Sequence, residues 1–259
     1  MKKIVAIGGG ENGRVSSSGK KYPWETEPMD REIIALTGKE RPHFLLIAHS
    51  QKLEWQQGYY DVMKAIYEPL GCECRDLKSD ELTDPDIVKE KVDWRDIIYE
   101  GGGDTLSMIE LWKETGFDKV LRSAWEAGKV MCGVSAGANC WFTSCNSDSL
   151  KILHGDDQPL IGLPCLGFID AYFVPHRDEE GRYDSRKDRL KDSDTIGIMC
   201  SNCTALEILD DEYRLITSDA SYHGITAYGL KAYWKDGIYH EERLPSDGRF
   251  RPLSELLRR

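Results

Sequence analysis

The stretch Cys132-Gly133-Val134-Ser135-Ala136-Gly137-Ala138-Asn139 restricts the fold more than any other part of the chain. An apolar run of strand type, Val130 to Val134, leads directly into a serine flanked by Gly133 and Gly137, and small residues follow. The pattern G-x-S-x-G requires a strand to stop, the chain to turn sharply at Ser135 and a helix to leave. The two glycines remove side chains that would collide where strand and helix approach. Ser135 is then raised above the sheet edge. The N–H groups that open the helix, Ala136 first, together with the positive end of its dipole, face any oxyanion formed beside the hydroxyl.

In chain order, Ile4 to Ile7 is a first strand. Gly8-Gly9-Gly10-Glu11-Asn12-Gly13 formally satisfies the dinucleotide fingerprint, but a polar segment with prolines at 23 and 28 follows where a helix must open, so the context fails. A helix is predicted from about Met29 to Leu36, and His43 to Ala48 is a continuous apolar strand of the kind buried in parallel sheets. His49 and Ser50 fall at its C-terminal end, although a lone histidine there is usually structural. Helical spacing places Trp55, Tyr59, Val62, Met63 and Ile66 on or near one stripe, and Cys72 to Cys74 reads as a short strand. Ser79 to Glu90 reads as a loop with a weak helix. Asp96 to Glu100 is a strand, then Gly101-Gly102-Gly103-Asp104 turns into a helix predicted from Thr105 to Ala127. Further strands are predicted at Thr195 to Ile198 and Thr204 to Ile208. A hairpin with an Asp236-Gly237 turn is expected to extend the sheet antiparallel. The alternation predicts one α/β domain over residues 1–259, a three-layer sandwich with a mostly parallel central sheet, helices on both faces and an antiparallel C-terminal hairpin.

Parallel strands joined by one crossover commonly lie side by side with their C-terminal ends on one edge. The turn at Gly102 and Gly103 should therefore sit beside Ser135 and offer backbone donors for an oxyanion alongside Ala136. A serine nucleophile needs a histidine base, oriented by a carboxylate. Among six histidines, His154 lies in a loop, and His223 and His240 fall in a peripheral C-terminal region. His176 ends the strand Ala171 to His176 and is expected on the same edge as Ser135. Asp148, at a turn after the serine helix, is the first choice of acid, with Asp157 and Glu207 as alternatives.

The net charge of −11 argues against nucleic-acid or anionic-membrane partners, because phosphate would be repelled over most of the surface. No run approaches the roughly 18 apolar residues of a membrane span. The basic start breaks at Gly8 after four apolar residues, unlike a signal peptide, so a cytoplasmic protein with reduced thiols is expected. Eight cysteines include Cys200-x-x-Cys203, which lacks a second ligand pair of suitable spacing, so no metal and no cofactor are expected.

Gly101-Gly102-Gly103-Asp104, Gly133 to Asn139, Asn146-Ser147-Asp148 and Val174-Pro175-His176, in that order, resemble the peptidase E family, peptidase family S51, of aspartyl dipeptidases and cyanophycinases. The resemblance implies a class I glutamine amidotransferase-like fold with serine in place of cysteine at the elbow. It further implies Ser135 as nucleophile, His176 as base and Asp148 as acid, and an activity on peptide bonds after N-terminal aspartate. From Arg177 to Asp194, 13 of 18 residues are charged. Within that run Arg186 resembles the arginine that pairs with the substrate's β-carboxylate. The same serine and histidine would serve an esterase or amidase acting on a small non-peptide acyl compound. A non-catalytic ligand-binding relative is a further reading.

Overall fold

A computed structural model describes residues 1–259 apart from 17, 183, 192, 220–223 and 225, and describes the backbone alone for 184–186. In chain order the first half comprises β1 (Lys3–Ile7), α1 (Glu27–Ala35), β2 (His43–Leu46), α2 (Leu53–Tyr67), β3 (Glu73–Asp76), α3 (Pro85–Trp94), β4 (Ile97–Glu100), α4 (Thr105–Thr115), α5 (Phe117–Glu126), β5 (Val130–Val134) and α6 (Ala136–Asn139). The second half comprises β6 (Phe142–Ser147), α7 (Ser149–His154), β7 (Ile161–Pro164), β8 (Ile169–Val174), α8 (Asp184–Lys191), β9 (Gly197–Cys200), β10 (Thr204–Leu209), β11 (Glu212–Thr217), β12 (Gly229–Lys235), β13 (Ile238–Arg243), β14 (Arg251–Pro252) and α9 (Leu253–Leu256).

The strands form two sheets. The larger has the order β14-β11-β10-β1-β5-β4-β2-β3, and the smaller β13-β12-β9-β8-β6-β7. In the larger sheet β1, β5, β4, β2 and β3 run parallel, and β10, β11 and β14 add antiparallel on the other side of β1. Side chains of β1 alternate as a strand buried on both faces requires. Val5 and Ile7 pack with Met29, Ile33, Met63 and Tyr67 of α1 and α2. Ile4 and Ala6 face a larger core that holds Trp112 and Leu121 of α4 and α5 together with Phe142, Phe173 and Ile198 of the smaller sheet. The expected layers are therefore present, with part of the third layer made by the second sheet.

Several boundaries differ from the sequence reading, each for a local reason. The helix expected over 105–127 is two helices, because Gly116 takes φ 75° and ends α4 before α5 begins. The segment read as a weakly helical loop contains the ten-residue α3, whose first turn is closed by Asp84 accepting from Asp86 N and Ile87 N, with Pro85 as its first residue. Trp55 lies off the apolar stripe of α2 and is exposed. The C-terminal hairpin, β12 with β13, joins β9 in the smaller sheet and does not extend the larger one.

Candidate active site

Registers bring the site together. In the parallel pairs Ile7 is opposite Val134 and Glu100 opposite Gly133, so the turns after β1, β4 and β5 emerge side by side at one sheet edge. Ser135 follows β5 at φ 56° and ψ −111°, a backbone conformation strained for a non-glycine residue and held by the structure around it. Its N–H donates to Ile7 O at 3.1 Å, while its carbonyl accepts from Ala138 N and Asn139 N. The flanking glycines are required by β4. A Cβ on Gly133 would lie 2.4 Å from Glu100 O, and one on Gly137 2.1 Å from the same atom. The helix that leaves is one turn long, so a macrodipole adds little, and the individual N–H groups carry any anion binding.

The Gly101 to Gly103 turn does lie beside the elbow. A methyl group on Gly102 would sit 3.4 Å from Ser135 Cβ and 4.0 Å from its Oγ. The turn is fixed from both sides. Gly101 O accepts from Gly137 N at 3.0 Å, and Gly102 O accepts from Ser50 Oγ at 2.9 Å and Gln51 Nε2 at 2.5 Å. Of the three expected donors, Gly102 N–H is turned to Tyr59 Oη at 3.2 Å. Among the described residues no acceptor is bonded to the N–H of Gly103 or of Ala136. His49 is structural here. Its Nε2 donates to Leu77 O, its Nδ1 accepts from Trp112 Nε1, and burial lowers its pKa to about 4, so it stays neutral.

His176 reaches the same edge from the smaller sheet. The chain leaves β8 after Val174, and His176 adopts φ 49° with its N–H donating to Gly8 O at 2.9 Å. Ser135 and His176 are thus anchored on the consecutive carbonyls of Ile7 and Gly8. The glycines after β1 serve this approach. A Cβ on Gly9 would stand 2.4 Å from His176 Nδ1 and 2.0 Å from Asn202 Oδ1.

Asn202 is the residue that sequence reasoning missed. It lies in the turn that carries the chain from β9 in one sheet to β10 in the other, and its Oδ1 is 2.9 Å from His176 Nδ1. Asp178 holds it through the backbone N–H at 2.7 Å and through Nδ2 at 3.1 Å. Glu179 Oε1 is also 3.1 Å from His176 Nδ1 and accepts from Asn202 Nδ2 at 3.2 Å. Burial alone would raise the Glu179 pKa, but its bonds to His176 and Asn202 and the nearby Arg182 bring it down to about 2.

Asp148 is placed elsewhere in this network. Its carboxylate accepts from Arg182 Nη2 at 2.7 Å, and the buried Arg182 also donates to Asn146 Oδ1. Among the described residues His176 Nδ1 pairs with Asn202 and Glu179, and Asp148 is linked to this pair through Arg182, whose charge also acts on Glu179. Asp157 is exposed in a turn, and Glu207 is fully buried against Arg214 on β10. The backbone of Arg186 belongs to α8, but its side chain, like all of His223, lies outside the described residues.

A cavity of about 410 Å³ adjoins the elbow and is lined by Val134, Tyr59, Glu11, Asn12 and Arg14 among others. Arg14 pairs with Glu11 at 3.1 and 3.2 Å. Asn12 Oδ1 is buried with no hydrogen-bond partner. Among the described residues no group of three or more His, Cys, Asp or Glu side chains is arranged to hold a metal, and no helix is long and apolar enough to cross a membrane. The eight cysteines are free thiols.

The chain is similar to known peptidases in sequence and in fold. The model of peptidase family S51 matches residues 14–216. The chain is 34% identical over 191 residues to the uncharacterized peptidase YgaJ of Bacillus subtilis (strain 168), covering 73% of this chain and 72% of that protein. It is 31% identical over 91 residues to the uncharacterized peptidase PM1590 of Pasteurella multocida (strain Pm70), covering 34% of this chain and 43% of that protein. The fold is similar to that of a crystallised peptidase from an acI-B1 Actinobacterium, with TM-score 0.69 and 19% identity over 97% of both chains. It is also similar to that of a putative peptidase E protein from Listeria monocytogenes EGD-e, with TM-score 0.60 and 18% identity over 84% of this chain and 98% of that one. The chain therefore belongs to peptidase family S51, a family of serine hydrolases.

Proposed function

We propose that this peptidase hydrolyses small peptides by acyl transfer through Ser135, and that its preferred substrates begin with aspartate. Ser135 Oγ attacks the scissile carbonyl as His176 takes its proton. The C–N bond then breaks with that proton delivered to the leaving amine, and water completes the cycle by attacking the acyl ester. The N–H groups of Ala136 and Gly103 receive the oxyanion, while the Gly102 N–H, bonded to Tyr59, holds the turn in place. Asn202 performs the orienting role given to Asp148 by resemblance. Its Oδ1 accepts the Nδ1–H of His176 and leaves the Nε2 lone pair for the serine, as in Cys-His-Asn sites. Glu179 adds the negative charge that favours the imidazolium formed during attack. Asp148 acts one step removed, by fixing Arg182.

The observation that carries this reading is that the strained Ser135 and His176 are held on consecutive carbonyls, Ile7 at the end of β1 and Gly8 just after it. Substrate preference is supported by the adjoining cavity, whose volume lies toward the low end of the roughly 300–1,000 Å³ typical of small-ligand sites and suits a few residues rather than a long chain. An N-terminal aspartyl residue offers an ammonium for Glu11 and the unpartnered Asn12 Oδ1, and a β-carboxylate for Arg14 or Arg186. The test is a panel of Asp-Xaa, Ala-Xaa and N-acetyl-Asp-Xaa peptides together with small esters. The proposal expects Asp-Xaa turnover to exceed the others at least tenfold and to vanish in Ser135→Ala. Equal turnover of esters and aspartyl peptides would defeat the substrate reading, and full activity in Ser135→Ala would defeat the mechanism.

A further inference from the structure

The opposite edge of the larger sheet carries a second cavity. It is about 760 Å³ and lies between α3 and the α4–α5 pair, at the N-terminal ends of β4 and β5. The length of those strands, roughly 15 Å at about 3.3 Å per residue, separates it from Ser135. Val88, Val92, Phe117 and Val120 give it an apolar wall, and Lys89, Arg95 and Lys129 line it as cations.

Arg95 is only 4% exposed, and its Nε is buried with no hydrogen-bond partner. Among the described residues it forms no ion pair. Asp93 and Asp96 act on it electrostatically, but Asp93 is bonded to Lys89, and Asp96 is bonded to Lys39 Nζ and His43 N. A guanidinium taken out of water without a partner is strongly disfavoured unless an anion completes it. Lys129 is drawn toward Asp96 at 3.8 Å and Lys89 is paired with Asp93, so among the described residues Arg95 is the lining cation without a direct ion pair, and Asp93 and Glu114 in the lining disfavour a multiply charged ligand.

We infer that this cleft binds a small monocarboxylate with an apolar body, the carboxylate meeting Arg95 and the hydrocarbon lying on the wall of Val88, Val92, Phe117 and Val120. Bidentate pairing suits a guanidinium to a carboxylate. The site is independent of the peptidase reading, since none of these residues touches the elbow.

The test is calorimetric titration of the full-length protein with sodium decanoate and, in parallel, with decan-1-ol, which keeps the tail and removes the charge. Decanoate is expected to bind one to one with a dissociation constant on the order of 100 µM or tighter. Decanol and the Arg95→Met variant should each weaken binding at least tenfold. Arg95→Met retains the apolar stem and removes an unpaired buried charge, so its thermal midpoint should not fall. Val120→Glu, which sets a carboxylate in the wall, is the second variant and should also abolish binding. Absence of saturable binding by the wild type, or wild-type affinity for decanoate in either Arg95→Met or Val120→Glu, would overturn the inference.

Discussion

Replacing Gly9 by alanine tests whether the pairing of His176 with Asn202 is what makes this edge reactive. The added Cβ would lie 2.0 Å from Asn202 Oδ1 and 2.4 Å from His176 Nδ1, well inside a van der Waals contact of about 3.5 Å. The loop cannot retreat freely. Gly8 N donates to Thr204 O, Gly8 O accepts from His176 N and Gly9 O accepts from Cys203 N, all within 2.9 Å. The two side chains must therefore separate by an ångström or more. Overpacking of this kind destabilises by about 1–3 kcal/mol. An ångström of misplacement at a reacting group lowers turnover about 10²-fold, or about 2.7 kcal/mol of barrier. The assay is kcat/KM on an Asp-Xaa dipeptide together with a thermal melt. Gly19→Ala serves as the control, because that glycine also has positive φ but no heavy atom within 4 Å of its Cβ position. The expected result is a fall of about 10² in kcat/KM for Gly9→Ala with a folded protein and no fall for Gly19→Ala. Wild-type turnover in Gly9→Ala would refute the proposed role of the His176 and Asn202 pair.

Asn202→Ala removes the tautomer-fixing acceptor but leaves Glu179 on the imidazole, so kcat should drop about 10- to 100-fold with little change in KM, and Asn202→Ala combined with Glu179→Ala should drop further. Gly103→Ala would drive a Cβ to 2.3 Å from Ser50 O and shift the turn away from the elbow; a loss of about 10²–10³ in kcat is expected, read in steady-state kinetics. The Glu179 carboxyl is depressed from 4.5 to about 2, so it contributes stability that is present above pH 4.5 and is lost as the pH falls toward 2. The side chain is half exposed, so the contribution after solvent screening is about 1 kcal/mol. Urea unfolding across pH 3 to 6 should show a flatter acid limb for Glu179→Gln than for the wild type.

Much of this arrangement was legible in the residues. Ser135 between Gly133 and Gly137 announces the elbow because only small residues tolerate the approach of β4, and the apolar runs of β2, β4 and β5 announce parallel strands buried on both faces. The position of His176 at this edge follows from its place at a strand end, although that strand belongs to a second sheet that local pattern does not reveal. Sheet membership is decided by tertiary pairing. Asn202 was hidden for the same reason. It sits between Cys200 and Cys203, a spacing that draws attention to the thiols, and its partnership with His176 exists only because β9 crosses to β10 beside the end of β1. Asp148 illustrates the converse. A carboxylate at a suitable turn reads as the orienting acid, yet Arg182, 34 residues away and embedded in a charged run, occupies it. Gly9 lies in a glycine run that matches the dinucleotide fingerprint only formally; what requires the glycine is the histidine and asparagine that fill the space beside it, which no local pattern shows.

Activation of Ser135 by His176 can be read by mass spectrometry of the intact protein after exposure to a small aspartyl acylating agent. One covalent adduct on Ser135 is expected in the wild type, none in Ser135→Ala and strongly reduced labelling in His176→Ala. An adduct that persists in Ser135→Ala, or labelling of Ser135 unaffected by His176→Ala, would contradict it.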